Sequence, residues 1–128
     1  MIAADTNIVV RLITLDDPAQ AARARRLFAR EQVWLAQTVL LETAWVLRSV
    51  YGFDDHEVAS AIRKLAGLPN VHLEDEIAVA QALLWLAGGV DFVDAIHLAS
   101  RGEASAFVTF DERFAKKMSK LDVAVEVL

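Results

Sequence analysis

The sequence predicts an α/β fold with a mainly parallel sheet, on three observations. Five short apolar runs have strand character, and segments with helical periodicity alternate with them. The chain has 128 residues, 55% of them apolar, which is ample for a core that needs no staple. In order, Met1 to Asp5 is an apolar run closed by Asp-Thr-Asn, and a short turn of helix follows Asn7. Helical periodicity over 17–31 opens near Pro18, a residue suited to a helix start. Val33 to Ala36 is the next strand, then come helices over 37–51 and 55–66, and Pro69 marks a turn before the strand Val71 to Leu73. Helices over 75–87 and 92–103, the strand Ala106 to Phe110, a helix over 111–120 and the strand Val123 to Leu128 complete the pattern. Several helices begin at Asp or Thr, which suit N-caps. Without repeat, low-complexity stretch or linker, residues 1–128 read as a single domain.

Composition excludes several classes. With no cysteine there is no disulfide, and a structural metal is unnecessary at this length. The longest charge-free stretch, Ile77 to Val90, is 14 residues, short of the roughly 20 needed to cross a bilayer. The opening Met-Ile-Ala-Ala-Asp-Thr-Asn lacks the basic start of a secretory signal, so the expected compartment is cytoplasmic. The net charge of −5 is unevenly spread. Residues 31–100 carry three basic and ten acidic groups, against five and three in each of 1–30 and 101–120. Polyanion binding by blanket neutralisation is therefore not expected, and a nucleic-acid ligand needs another source of positive charge at the acidic middle.

The acids themselves suggest that source. Asp5 and Asp111 each follow a strand and precede a helix, where capping is one account and a shared crevice beyond the strand ends is the other. Glu42 interrupts Thr38 to Leu47, a helix apolar on most of its circumference, with no basic residue three or four positions away, so burial would demand a partner; the bland alternative puts it at the helix margin, reaching water or Arg48. Asp91 and Asp94 stand three apart at a helix start, Asp91 suited to the cap and Asp94 to an inward role. His97, one turn further on, reads as a packing residue. Four acids, Asp5, Glu42, Asp94 and Asp111, would repel one another without a counter-ion, and hard oxygen donors select Mg²⁺ or Mn²⁺ over zinc. Such an ion supports phosphodiester hydrolysis and provides the missing positive potential.

These motifs resemble the PIN domain nucleases, and within them the VapC-type toxins of prokaryotic toxin–antitoxin pairs. The resemblance rests on Asp5-Thr6-Asn7 with its apolar helix and Arg11, Glu42, Asp94-Ala95 continued by Ile-His-Leu-Ala, and Thr109-Phe110-Asp111 before Arg113-Phe114, in the family's order. It implies a three-layer α/β/α sandwich with a five-stranded mainly parallel sheet, endoribonuclease activity with Mg²⁺ or Mn²⁺, a homodimer and a cognate VapB-type antitoxin. It also implies that Asp5 and Asp94 are principal metal ligands, with Glu42 and Asp111 completing the acidic pocket, and that Asn7 and Thr109 are polar supports. Asp91 is an additional acid.

For RNA phosphates, Arg11, Arg113, Lys116 and Lys117 stand near strand exits, whereas Arg23, Arg26 and Arg30 share a face that reads as solvated. Trp34, Trp45 and Trp85 read as core or interface. A haloacid-dehalogenase-like phosphatase would need Asp-x-Asp where this chain has Asp5-Thr6-Asn7, and a receiver domain would need an Asp after its third strand and a Lys after its fifth. The non-enzymatic alternative is a binding module whose acidic groove captures a basic partner.

Overall fold

The apolar run at the start of the chain lends only two residues to the sheet: in the computed structural model, which describes residues 1–128, β1 is Ile2–Ala3. The chain divides into two units, Met1–Glu76 and Ile77–Leu128.

In the first unit, β1, β2 (Val33–Leu35) and β3 (Val71–Leu73) form a sheet in that order, with both pairs parallel. Val33 is matched with Ile2 on one side and Val71 on the other, so β2 is central, and both Val33 and Leu35 are fully buried. Parallel neighbours need long crossovers. Here each crossover is a pair of helices: α1 (Thr6–Thr14) with α2 (Pro18–Arg30), then α3 (Gln37–Ser49) with α4 (Asp55–Ala66). The turn of helix expected after Asn7 is in fact nine residues long, because Val9 and Val10 are buried and Asp5 caps its start.

Local chemistry sets the remaining boundaries. Asp17 caps α2 by accepting from the Gln20 amide at 3.0 Å, with Pro18 in the first position. Asp54 and Glu57 form a reciprocal capping box at the start of α4. The Asn70 side-chain amide donates to the carbonyls of Phe28 and Glu31, tying the end of α2 to the turn before β3. Arg48 pairs with Asp55 and so links α3 to α4. Leu40, Leu47, Val58 and Ile62 are fully buried between these elements and the sheet.

Helix α5 (Glu76–Ala87) leads into the second unit, which holds α6 (Phe92–Ala99), β4 (Val108–Thr109), α7 (Glu112–Lys120) and β5 (Glu126–Val127). Strands β4 and β5 pair in parallel, Val108 opposite Glu126 and Thr109 opposite Val127. All five expected strands are therefore present and every pair is parallel, divided between a three-stranded and a two-stranded sheet. Helix α6 stops at Ala99, four residues before its expected end, and Gly102 follows in the left-handed region at φ 61°. At Gly88 a Cβ would stand 3.0 Å from both Leu121 methyls, so this close approach requires glycine or a shift of Leu121. Phe92, Ile96, Leu98 and Met118 are fully or almost fully buried, and Phe114 meets Phe107 edge-on at 6.0 Å between ring centroids. No helix is long and apolar enough to cross a membrane.

Candidate active site

The first unit positions Asp5, Asn7 and Glu42. Asp5 leaves β1 in extended backbone and caps α1, its Oδ1 accepting from the Thr6 amide at 2.8 Å. The capping account is therefore real, and it uses one carboxylate oxygen while the other makes no hydrogen bond. Asn7, in the first turn of α1, is exposed. Glu42 is exposed as well, which overturns the burial argument made for it: α3 turns Thr38, Glu42, Trp45 and Ser49 outward and Leu40, Thr43, Ala44 and Leu47 inward. Trp45 is 62% exposed, so an apolar residue on the outer face made this helix look buried all round. Glu42 has no bonded partner, and Arg48 is engaged with Asp55 instead.

Because β1, β2 and β3 run parallel, their carboxyl ends share one edge of the sheet, where Asp5 follows β1 and α3 starts directly after β2. Glu74 follows β3 at that same edge and accepts from the Gln37 amide at 3.4 Å. Sequence reasoning did not single out Glu74, although an acid immediately after an apolar run is the signal that marked Asp5 and Asp111.

The second unit gathers Asp91, Asp94 and Asp111. Asp91 caps α6, as its spacing predicts, with Oδ2 accepting from the Val93 amide at 3.1 Å and the Asp94 amide at 3.4 Å. Asp111 caps α7 by accepting from the Phe114 amide at 2.9 Å. The Thr109 hydroxyl accepts from the Asp111 backbone amide at 3.0 Å, so Thr109 orients the residue through its main chain. Asp94 is half-buried in the first turn of α6. Burial pushes its carboxyl above the usual range, the charges of Asp91 and Asp111 push the same way, and His97 and Lys117 oppose them. His97 is exposed rather than packed, which corrects the expectation of a core histidine.

The cationic candidates divide by what already holds them. Arg11 donates to Gln20 at 2.7 Å, to Asp16 at 3.2 Å and to the Tyr51 hydroxyl at 3.0 Å. The Tyr51 hydroxyl donates to Asp16 and holds that carboxyl below the usual range, helped by Thr14 and Arg11 against a smaller opposing effect of burial. Lys117 donates to the Gly89 carbonyl at 3.0 Å, while Arg113 and Lys116 are exposed on α7.

The PIN domain model matches residues 2–119, a span that runs through both units. The chain belongs to the PIN domain family. A solved structure from Mycobacterium tuberculosis, VapC20, described as a Sarcin-Ricin loop cleaving toxin, is similar at 25% sequence identity over 91% of this chain and 94% of its own, with a TM-score of 0.45. No curated protein matches.

Within neither unit of this PIN domain do three Asp, Glu or His side chains converge tightly enough to hold a metal among them. The donor chemistry of the second unit nevertheless fits a hard divalent cation. Mg²⁺ is bound through one or two carboxylates while it keeps several waters. Asp94 makes no side-chain hydrogen bond, Asp111 commits only Oδ1 to its cap, and the like-charge repulsion that adds to burial in raising Asp94 is relieved by a cation.

Proposed function

We propose that residues 1–128 act as a single domain, a Mg²⁺- or Mn²⁺-dependent endoribonuclease of VapC type, the cytoplasmic toxin of a VapBC-type pair. The observation that carries this reading is the crowding of three aspartates at the starts of α6 and α7 in a PIN domain. We assign the role of principal metal ligands to Asp5 and Asp94, with Glu42 and Asp111 completing the acidic set. When bound, the ion supplies positive charge against the phosphate and acidifies a water, chemistry that leaves a 5′-phosphate and a 3′-hydroxyl.

The chain's own groups prepare that chemistry. Helix caps pin Asp91 and Asp111, so the negative field at Asp94 is preorganised and costs nothing to assemble when the substrate arrives. Desolvation strengthens the affinity of Asp94 for positive charge, whether proton or cation. Thr109 limits the motion of Asp111, and Lys117, tethered to Gly89, keeps one positive charge within the field of Asp94. The partners that follow are an RNA substrate, a VapB-type antitoxin and a second copy of the chain; exposed Ile77 and Leu84 on α5 supply apolar surface for a homodimer.

The decisive assay incubates the purified chain with end-labelled RNA, with Mn²⁺ or Mg²⁺ and with EDTA. Cleavage that requires the metal and persists when the cut site carries a single deoxyribose is the expected result. Metal-independent cleavage that stops at the deoxyribose would assign the work to His56, His72 or His97 and reject the proposal. No cleavage of any RNA would leave the acidic-groove binding module in its place.

A further inference from the structure

Of the clefts of the first unit that the mechanism leaves unused, one is lined by two arginines. Between α1 and α2 lies an open cleft of about 420 Å³, of the size that takes a small ligand. Its polar lining is Asn7, Arg11, Gln20 and Arg23, with Ile8 and Leu27 contributing apolar wall, and no acid lines it. Two guanidiniums and two amides around apolar surface suit a phosphate with an attached sugar or base.

The two arginines are not equivalent. Arg11 is held by Asp16, Gln20 and Tyr51, which fixes its position and offsets its charge. Arg23 is exposed and has no hydrogen bond or ion pair, so its charge is available to a ligand. Arg26 and Arg30, which share its helical face in the sequence, do not line the cleft. The cleft also starts close to the chemistry assigned to Asp5. Asn7 is two residues beyond Asp5, and Arg11 lies about 6 Å further along the α1 axis at 1.5 Å per residue.

We propose that the α1–α2 cleft is a nucleotide subsite for the RNA strand beside the scissile bond, with Arg23 as the residue that captures its phosphate. This rests on the endoribonuclease reading and adds to it a phosphate contact outside the acidic set. Arg11 and Gln20 form the wall against which that phosphate is oriented, and Arg23 closes on it from the rim.

The test measures binding of a 5′-fluorescein single-stranded RNA to the full chain in EDTA across a salt titration, and separately steady-state cleavage with Mn²⁺. Arg23→Gln should weaken binding about fivefold and reduce the steepness of the log affinity against log salt plot by about 0.7, the loss of one phosphate contact on a single strand. In cleavage it should raise KM with kcat retained. Arg26→Gln removes the same charge from the same helix outside the cleft and should change neither readout. Equal effects of the two substitutions, or an Arg23→Gln protein that binds and cleaves like the parent, would overturn the subsite and leave the nuclease reading intact. Capture of a poly-glutamate peptide that depends on Arg23, with RNA binding unaffected, would overturn it in favour of an acidic partner. A parent chain that neither binds nor cleaves RNA rejects the nuclease reading and the subsite with it.

Discussion

In the first unit Asp5 and Glu42 are exposed, one as a helix cap and the other on an outward helix face, whereas in the second unit a half-buried Asp94 feels the charges of two capping aspartates. The same residue type thus does two jobs. A capping carboxylate is stabilised by helix amides and costs the fold nothing. Asp94, partly desolvated and crowded by like charge, is held at a cost to the metal-free protein. A cost of that kind, placed in the first turn of a helix in a PIN domain, is the reason Asp94 rather than a capping acid is assigned to the proposed reacting centre.

Substitutions can break that contrast, and the largest effect is expected at Asp94. Asp94→Asn should lower the cleavage rate by roughly a thousandfold or more, since it removes a group assigned to the reacting centre. Measured activity within tenfold of the parent would reassign the centre to other acids.

Next come the caps. Asp5→Ala and Asp111→Ala should each cost about 1 kcal/mol of unfolding free energy, whereas Asp5→Asn and Asp111→Asn keep the cap acceptor and should cost much less. If the Asn variants nevertheless lose activity as fully as the Ala variants, charge and capping are separable functions of the same side chain. Denaturant melts of all four proteins decide it.

A smaller effect is expected in the pH dependence of stability. Because the Asp94 carboxyl is raised in the folded chain, the folded state holds that proton more tightly than the unfolded state. The stability this confers is present at pH below the ordinary Asp range and is lost as pH rises through the raised value. At neutral pH Asp94→Asn should therefore raise the Tm of the metal-free protein, modestly because the group is only partly buried and solvent still screens it, and the gain should vanish in acid. A gain that persists below the carboxylate range would point to a packing effect instead. Smallest of all, Thr43 has a fully buried hydroxyl without a hydrogen-bond partner, so Thr43→Val should be neutral or stabilise by up to about 1 kcal/mol in thermal melts.

Much of the fold was legible because local signals agree with one another. Pro18 and Asp91 mark helix starts in the sequence and stand at the starts of α2 and α6 in the structure. The apolar runs found strands at all five places, although β1, β4 and β5 keep only two paired residues each. The length of α1 was underestimated because its end carries no glycine; Leu15 takes the left-handed backbone at φ 58° there. Glu42 and His97 were misjudged for a single reason. Helices with apolar residues on more than one face do not announce which face turns inward, and Trp45 outside α3 is what disguised the exposed side. Glu74 carries the same local signal as Asp5, an acid directly after a strand, but only the parallel pairing of β3 with β2 shows that it stands at the end of the sheet where Asp5 stands.

Sequence alone determined the alternation of strands and helices, the caps that begin the helices, and the identity of the acids, since each depends on neighbours within about one helical turn. Tertiary structure decided which acids are solvated and which are crowded, that Arg11 is already spoken for, and that Arg23 rather than Arg26 or Arg30 borders a cleft. Those outcomes depend on dielectric and on distances between elements remote in the chain, which no local pattern encodes.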